Sequence, residues 1–216
     1  MNETSLPKRM RLYLIRHGEV EATAAGKLIG RTDVELSPRG LEQANELAAA
    51  LAKAQLATVY SSDLRRARTT ANIIARHTGS TVGEDPAWRE INMGQWEGRS
   101  LKSLYQSEPQ LVSMLLNDHA SFEYPGGESF SIFVTRVRTA LKELHALDVR
   151  GELALVTHGG VCRAIIGAAL EIPPHNWLRV AQDYGCLNVI DWYDGNPTLC
   201  LLNSKPGRVS SLPRMA

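Results

Sequence analysis

The chain has little cysteine, little lysine, few aromatics and no surplus of either charge, and each shortage narrows what it can be. Cys162, Cys186 and Cys200 are its three cysteines, and they form no CxxC pair and no metal-like cluster. That spacing argues against a disulfide framework and a thiolate metal site, and a reducing compartment is expected. Twenty-four Lys and Arg face 23 Asp and Glu, a formal charge of +1, without the basic surplus typical of a nucleic-acid binder. No apolar run approaches the roughly 18 residues that suggest a membrane span. The first nine residues hold no apolar core of signal-peptide length. The expectation is a cytoplasmic protein with no nucleic-acid and no membrane partner.

What is present suits a folded chain of one domain: 216 residues, 44% apolar and 22% charged. Eighteen of the cations are Arg and 6 are Lys. Arginine grips phosphate or carboxylate through two parallel hydrogen bonds, although GC-rich coding also inflates arginine and takes the larger share of the bias.

Residues 11–15 read as a short buried strand, followed by loop to 36. Ser37-Pro38 then opens a helix, with Ser as cap and Pro at its first position; Leu41, Ala44, Leu47, Ala48 and Leu51 give it an apolar face. A strand at 57–61 leads into a helix over about 64–77, ended by Gly79. The stretch 85–128 is less regular, with one helix near 100–116. Ser129 caps a helix to about 147. A strand at 152–157 precedes a helix from Val161 to Leu170, and strands at 185–193 and 198–203 form a hairpin. Alternating strands and helices predict an α/β fold with a largely parallel sheet, whose ligands sit at the carboxyl ends of the strands.

Two strands end alike. One runs Leu14-Ile15-Arg16-His17-Gly18-Glu19, the other Leu155-Val156-Thr157-His158-Gly159-Gly160. If they are parallel neighbours, their imidazoles converge at one sheet edge. A lone histidine is usually structural; two in matched positions make that reading weak. Ser61-Ser62-Asp63-Leu64-Arg65-Arg66-Ala67 also passes from a strand end into a helix, where anions are favoured. Arg65 and Arg68 are read as solvent-facing. Trp88-Arg89-Glu90-Ile91 sets a carboxyl group among apolar neighbours.

These four motifs, in this order, resemble the histidine phosphatase superfamily, which also contains the cofactor-dependent phosphoglycerate mutases. The match covers Arg16-His17-Gly18; Ser62, Leu64, Arg66 and Ala67; Arg89-Glu90 followed by Gly94-Gln95-Trp96-Glu97-Gly98; and the late His158-Gly159. It runs from about residue 10 to 204. The resemblance implies a three-layer α/β/α fold with a mostly parallel central sheet. It divides the chain into a flexible lead at 1–9, one domain at 10–204 with 92–130 an embellishment over the site, and a tail at 205–216.

The resemblance further implies a metal-independent, cofactor-free phosphomonoester hydrolase acting on a small molecule, with a homodimer compatible with it. His17 attacks phosphorus; Arg16, Arg66 and His158 hold the phosphoryl oxygens; Glu90 protonates the leaving group, then activates water. Gly159 joins the phosphate ligands. Family members often carry Asn six residues after the nucleophile, whereas Thr23 stands here, a hydroxyl without the amide's geometry. Gly30, Arg31 and Thr32 are expected to line the substrate mouth, with a plain surface loop as the other reading, and Glu128 to support the substrate pocket, with a helix-start carboxylate as the other reading. The ending and Tyr124-Pro125-Gly126-Gly127-Glu128-Ser129 resemble α-ribazole phosphatases of cobalamin biosynthesis. A broad-specificity phosphatase, a phosphoglycerate mutase and a catalytically silent binding protein remain alternatives. Residues 88–133 hold seven aromatics, a cover for an aromatic leaving group or ordinary core; Lys27, Arg31 and His119 could meet an anionic one.

Overall fold

Strand β1 (Arg9–Arg16) is apolar on both faces because both are covered: Leu12, Leu14 and Ile15 are fully buried. It lies inside a six-stranded sheet of order β3-β2-β4-β1-β5-β6, in a computed structural model that describes residues 9–21, 24, 26–147 and 151–206. Its neighbours are β4 (Gly151–Thr157), parallel, and β5 (Leu187–Tyr193), antiparallel. Beyond β4 come β2 (Leu56–Ser61) and β3 (Thr81–Glu84), both parallel, and beyond β5 comes β6 (Asn196–Ser204), antiparallel to it. Only β5 runs against the rest. The expected mostly parallel sheet is what forms.

Side-chain alternation along the strands divides the core in two. Leu12, Leu14, Leu153 and Leu155 pack with α5 (Phe130–Ala146) and α6 (Gly159–Ala169). Tyr13, Ile15, Ala154 and Val156 pack with α1 (Pro38–Ala50) and α2 (Arg65–Thr78). This makes the three-layer α/β/α sandwich. Ser37 caps α1 by accepting the Gly40 N–H, and Gly79 ends α2. Ser129 caps α5 through the Ile132 N–H.

Several sequence readings need correction. The helix expected over 100–116 is two, α3 (Leu101–Ser107) and α4 (Pro109–Asn117). Pro109 disfavours the helical conformation at Glu108, which adopts φ −140° and ψ 52°. Leu41, placed on the buried face of α1, is 42% exposed. Helix α6 starts two residues before Val161, on Gly159, with His158 as its cap residue. Strand β3 was absent from the sequence reading; at four residues it is too short to show an alternation. Arg9, assigned to the lead, opens β1. Residues 1–8 and 207–216, the rest of that lead and most of the tail, lie outside the described residues. Among the described residues no helix is long and apolar enough to cross a membrane.

Asp191 on β5 meets two arginines of β1, Arg9 at 3.3 Å and the buried Arg11. Arg11 and Asp191 face each other across β1 and β5, are 2% and 1% exposed, and join through hydrogen bonds of 2.6 and 2.7 Å. Burial pushes the Asp191 carboxyl up, but the Arg11 guanidinium outweighs it and holds the group below its ordinary range. Breaking such a pair leaves one charge buried alone. Asp191→Leu should therefore destabilise the fold by about 3–5 kcal/mol in urea denaturation. The double variant Arg11→Met/Asp191→Leu should recover most of that loss.

Candidate active site

Because β1, β2 and β4 are parallel, their carboxyl ends share one edge of the sheet. Arg16 is in register with Thr157, so the next residue on each strand is a histidine. The His17 and His158 rings meet edge to face with centroids 5.0 Å apart. Strand β2 ends at Ser61, and the chain turns through Ser62 into α2, whose first turn carries Arg66 inward. The convergence expected from the two matched strand ends is present.

His17 is buried. Its Nδ1 lies 2.7 Å from the Gly18 carbonyl, an oxygen that can only accept, so Nδ1 carries the proton in the neutral ring. Nε2 is then the lone pair, and Arg66 Nε donates to it at 3.2 Å. Burial drives the His17 pKa well below 6.5, and Arg66 and Arg16 push the same way; the Gly18 contact opposes them. The ring is thus held neutral, with its basic nitrogen facing the cations.

Those cations have few anionic partners. Arg66, 1% exposed, donates Nη1 to the Thr32 carbonyl at 2.8 Å and Nη2 to the Gly30 carbonyl at 2.6 Å. Arg16 donates to the Gln182 carbonyl at 2.6 Å and stacks 3.8 Å over the Tyr184 ring; its Nε is buried without a hydrogen-bond partner among the described residues. His158 Nε2 contacts Ser62 Oγ at 2.9 Å, while Nδ1 has no partner among them. Burial, then Arg66, His17 and Arg16, place the His158 pKa well below 6.5. Arg65 points the other way: its guanidinium pairs with Asp33 and Glu35, and it is 45% exposed. Consecutive residues on a helix differ by about 100° in direction, and here that separates an inner from an outer arginine. Arg68 likewise pairs with Glu84 at the surface.

Glu90 is seated against the start of α6, where its Oε2 accepts the Gly160 N–H at 2.8 Å. A Cβ on Gly160 would fall 2.2 Å from Glu90 Oε1, so glycine is needed there for the carboxylate to seat. Arg136, on α5, holds the segment before it: Nη1 donates to the carbonyls of Ala87 and Arg89, and Nε and Nη2 grip Glu128. Glu128 also accepts the Asn92 N–H and contacts Arg31 Nη2 at 3.5 Å. Glu128 is therefore a support beneath the Glu90 segment.

Gly159 opens α6 beside the guanidinium groups of Arg16 and Arg163. Gly30 contributes its carbonyl to Arg66. Thr23 lies outside the described residues. Of the aromatics, Trp88, Trp96 and Phe122 are buried core, as the more ordinary reading had it; Tyr124, Phe130 and Phe133 line a cavity of about 270 Å3. That cavity is walled by apolar side chains, including Leu28, Met93, Leu115 and Trp177, and reaches Glu90, Gly160 and Arg163. His119 is a wall residue: Nε2 donates to the Pro174 carbonyl at 2.9 Å and the ring packs on Phe130. It does not extend as a free cation, and Lys27 is exposed beside Ser100. Sequence reasoning missed Arg136, Arg163 and Gln182, which carry no local motif; Glu97 and Tyr184 were visible only as parts of matched segments.

Comparisons with known proteins agree with this geometry. The profile of the family described as Histidine phosphatase superfamily (branch 1) matches residues 12–205. An adenosylcobalamin/alpha-ribazole phosphatase of Salmonella typhimurium is 32% identical over 196 residues, 91% of this chain and 97% of its own. A Photorhabdus laumondii protein named "Probable phosphoglycerate mutase GpmB" is 33% identical over 190 residues, 88% of each chain. The crystal structure of the alpha-ribazole phosphatase from Shigella flexneri superposes with a TM-score of 0.86 at 30% identity, covering 96% of this chain and 100% of that one.

The two depressed histidines make stability depend on pH. Above pH 6.5 both are neutral whether the chain is folded or not, and they contribute nothing. Below it the unfolded chain takes up protons that the folded one refuses, so stability falls as pH falls. In an NMR titration of imidazole 15N shifts, His17 should stay neutral, in its Nδ1–H form, as the pH falls through the ordinary 6.5. A midpoint at the ordinary value would contradict the buried geometry.

Proposed function

The chain belongs to the histidine phosphatase superfamily and is a phosphatase, and we propose that it hydrolyses phosphomonoesters of a bulky, apolar alcohol through a phosphohistidine on His17. α-Ribazole 5′-phosphate, a nucleotide of cobalamin biosynthesis with an apolar aromatic base, is the substrate that fits best. The observation that carries this is the apolar cavity against Glu90. The acid that protonates a leaving oxygen must touch that oxygen, so the alcohol attached to it extends into the space Glu90 borders. A small anionic alcohol such as glycerate would meet Leu28, Met93 and Trp177 there, with Arg163 at one edge of an otherwise mostly apolar lining.

The proposed mechanism has two displacements. The Nε2 lone pair of His17 attacks phosphorus in line, the bond to the ester oxygen breaks, and Glu90 gives that oxygen a proton. Glu90, now a carboxylate, takes a proton from water; the water oxygen bonds to phosphorus, and the P–N electron pair returns to Nε2. The Gly18 carbonyl fixes the tautomer that makes the first attack feasible. Arg66 Nε rests on Nε2; a phosphoryl oxygen that takes over this donor frees the lone pair. Arg16 Nε and His158 Nδ1, buried and unpartnered among the described residues, are further groups for phosphoryl oxygens, with His158 acting as a donor when its proton is on Nδ1. Fixed cations of this kind supply most of the catalysis in phosphoryl transfer.

The deciding measurement is kcat/KM for α-ribazole 5′-phosphate, p-nitrophenyl phosphate and 3-phosphoglycerate, with EDTA present. Retained activity and a preference of at least about tenfold for the first, equal to about 1.4 kcal/mol of differential transition-state binding, is expected. A smaller preference would return the protein to a broad-specificity role. Denatured enzyme quenched during turnover should carry acid-labile, alkali-stable phosphate that His17→Ala abolishes.

The two neighbouring arginines give a second test. Arg66→Ala should lower kcat/KM by about 10²–10³-fold, the range for a lost charge-stabilising donor. Arg65→Ala removes only exposed ion pairs, worth about 0–1 kcal/mol, and should stay within a few-fold of wild type. Equal losses would mean that Arg66 does not serve the phosphoryl group.

A further inference from the structure

The acceptors that hold Arg66 include no carboxylate. Two backbone carbonyls, Gly30 and Thr32, take its Nη groups and leave Nε for His17. Neutral acceptors orient a guanidinium without cancelling its charge, whereas a carboxylate in their place would do both. The aim of Arg66 is then only as fixed as the segment supplying those carbonyls. Residues 30–32 belong to no helix or strand.

What holds them is Glu97. Its carboxylate accepts the backbone N–H groups of Gly30 at 3.0 Å, Arg31 at 2.7 Å and Thr32 at 3.1 Å, and the Thr32 hydroxyl at 2.6 Å. From its other side it accepts the Met93 N–H at 3.1 Å. Five donors exceed the roughly four lone-pair sites of a carboxylate. Burial pushes the Glu97 carboxyl up, but the Thr32 hydroxyl and the backbone donors outweigh it and hold the group below its ordinary range. The fit is close: a Cβ on Gly30 would lie 2.2 Å from the Ile91 oxygen and 2.5 Å from Glu97 Oε1. The neighbouring Trp96 is fully buried, so the carboxylate is based on the core.

We propose that Glu97 is a positioning residue for phosphoryl transfer: it clamps residues 30–32 so that the Gly30 and Thr32 carbonyls aim Arg66 at His17 and the phosphoryl group. This rests on the phosphatase reading of the site. In this arrangement the anion that orders Arg66 stays one peptide segment away from it, and the arginine keeps its full charge for the substrate.

The test is a double-mutant cycle of Glu97→Gln and Arg66→Ala, read by kcat/KM for p-nitrophenyl phosphate and by the inhibition constant of orthovanadate. The glutamine keeps the size of the side chain but sets an amide NH2 against a row of N–H donors. In the wild-type background, Glu97→Gln should cost about 10–100-fold in both readouts, the scale of a misplacement of about 1 Å. In the Arg66→Ala background it should cost less than about twofold, because the residue it positions is gone. A purely structural glutamate would give the same fractional loss in both backgrounds. If Glu97→Gln does not fold, Thr32→Val, which removes only the hydroxyl contact, runs the same cycle with a smaller loss. Losses that multiply, or an unchanged kcat/KM in Glu97→Gln, overturn the clamp alone. A wild type inert toward every phosphomonoester tried overturns the phosphatase reading and the clamp with it.

Discussion

The parallel pairing of β1 with β4 is the constraint on which the site depends. It places Arg16 beside Thr157 and hence His17 beside His158, and it does so through backbone hydrogen bonds that no site residue supplies. The His17 N–H continues the ladder by donating to the Thr157 carbonyl at 2.9 Å. A slip of one residue would turn both histidines to opposite faces of the sheet. The core prevents that slip, because Leu12 and Leu14 would exchange places with Tyr13 and Ile15. Apolar alternation remote from the chemistry thus fixes where the chemistry is.

Charge is treated in two ways within the same molecule. Arg11 with Asp191, and Arg136 with Glu128, are matched cation to carboxylate. Arg66 and Arg16 are instead held by carbonyl oxygens and a tyrosine ring. Cations buried with neutral partners are costly, and under the proposed function that cost is set against a dianion that arrives with the substrate. Both histidines respond to the same field by staying neutral. One therefore keeps a lone pair available at the pH where an isolated imidazole would begin to lose it.

Much of this was legible in the sequence, for physical reasons that differ from residue to residue. His17 and His158 were visible because each follows a buried strand and precedes glycine, a local pattern. Arg66 was separable from Arg65 by its place in a matched motif, and α2 buries the first and exposes the second. The helix ends at Ser37, Gly79 and Ser129 were legible because capping is local chemistry. The misses are of another kind. Strand β3 exists because β2 offers it an edge, and the split between α3 and α4 follows from one proline acting on Glu108. Arg136 and Glu128 meet across eight residues of sequence and then reach the backbone of residues 87–92, some forty residues away; nothing near them announces it. The cavity beside Glu90 is assembled from distant pieces, Leu28 to Trp177, so its apolar character could be suspected from composition but not located.

Besides its bonds to Glu97, the segment from Gly30 to Glu35 is joined to two consecutive residues of α2, one on each side. Arg66 holds carbonyls in the dry interior, and Arg65 holds the carboxylates of Asp33 and Glu35 in water. These attachments differ in how they feel dissolved ions. At about 0.15 M ionic strength, exposed charges are screened beyond roughly 8 Å, and at 1 M beyond roughly 3 Å, while buried contacts are screened much less. Brine would therefore loosen the outer fastening of this segment and leave the inner one in place, so that the mouth of the site could breathe without its arginine losing its bearing.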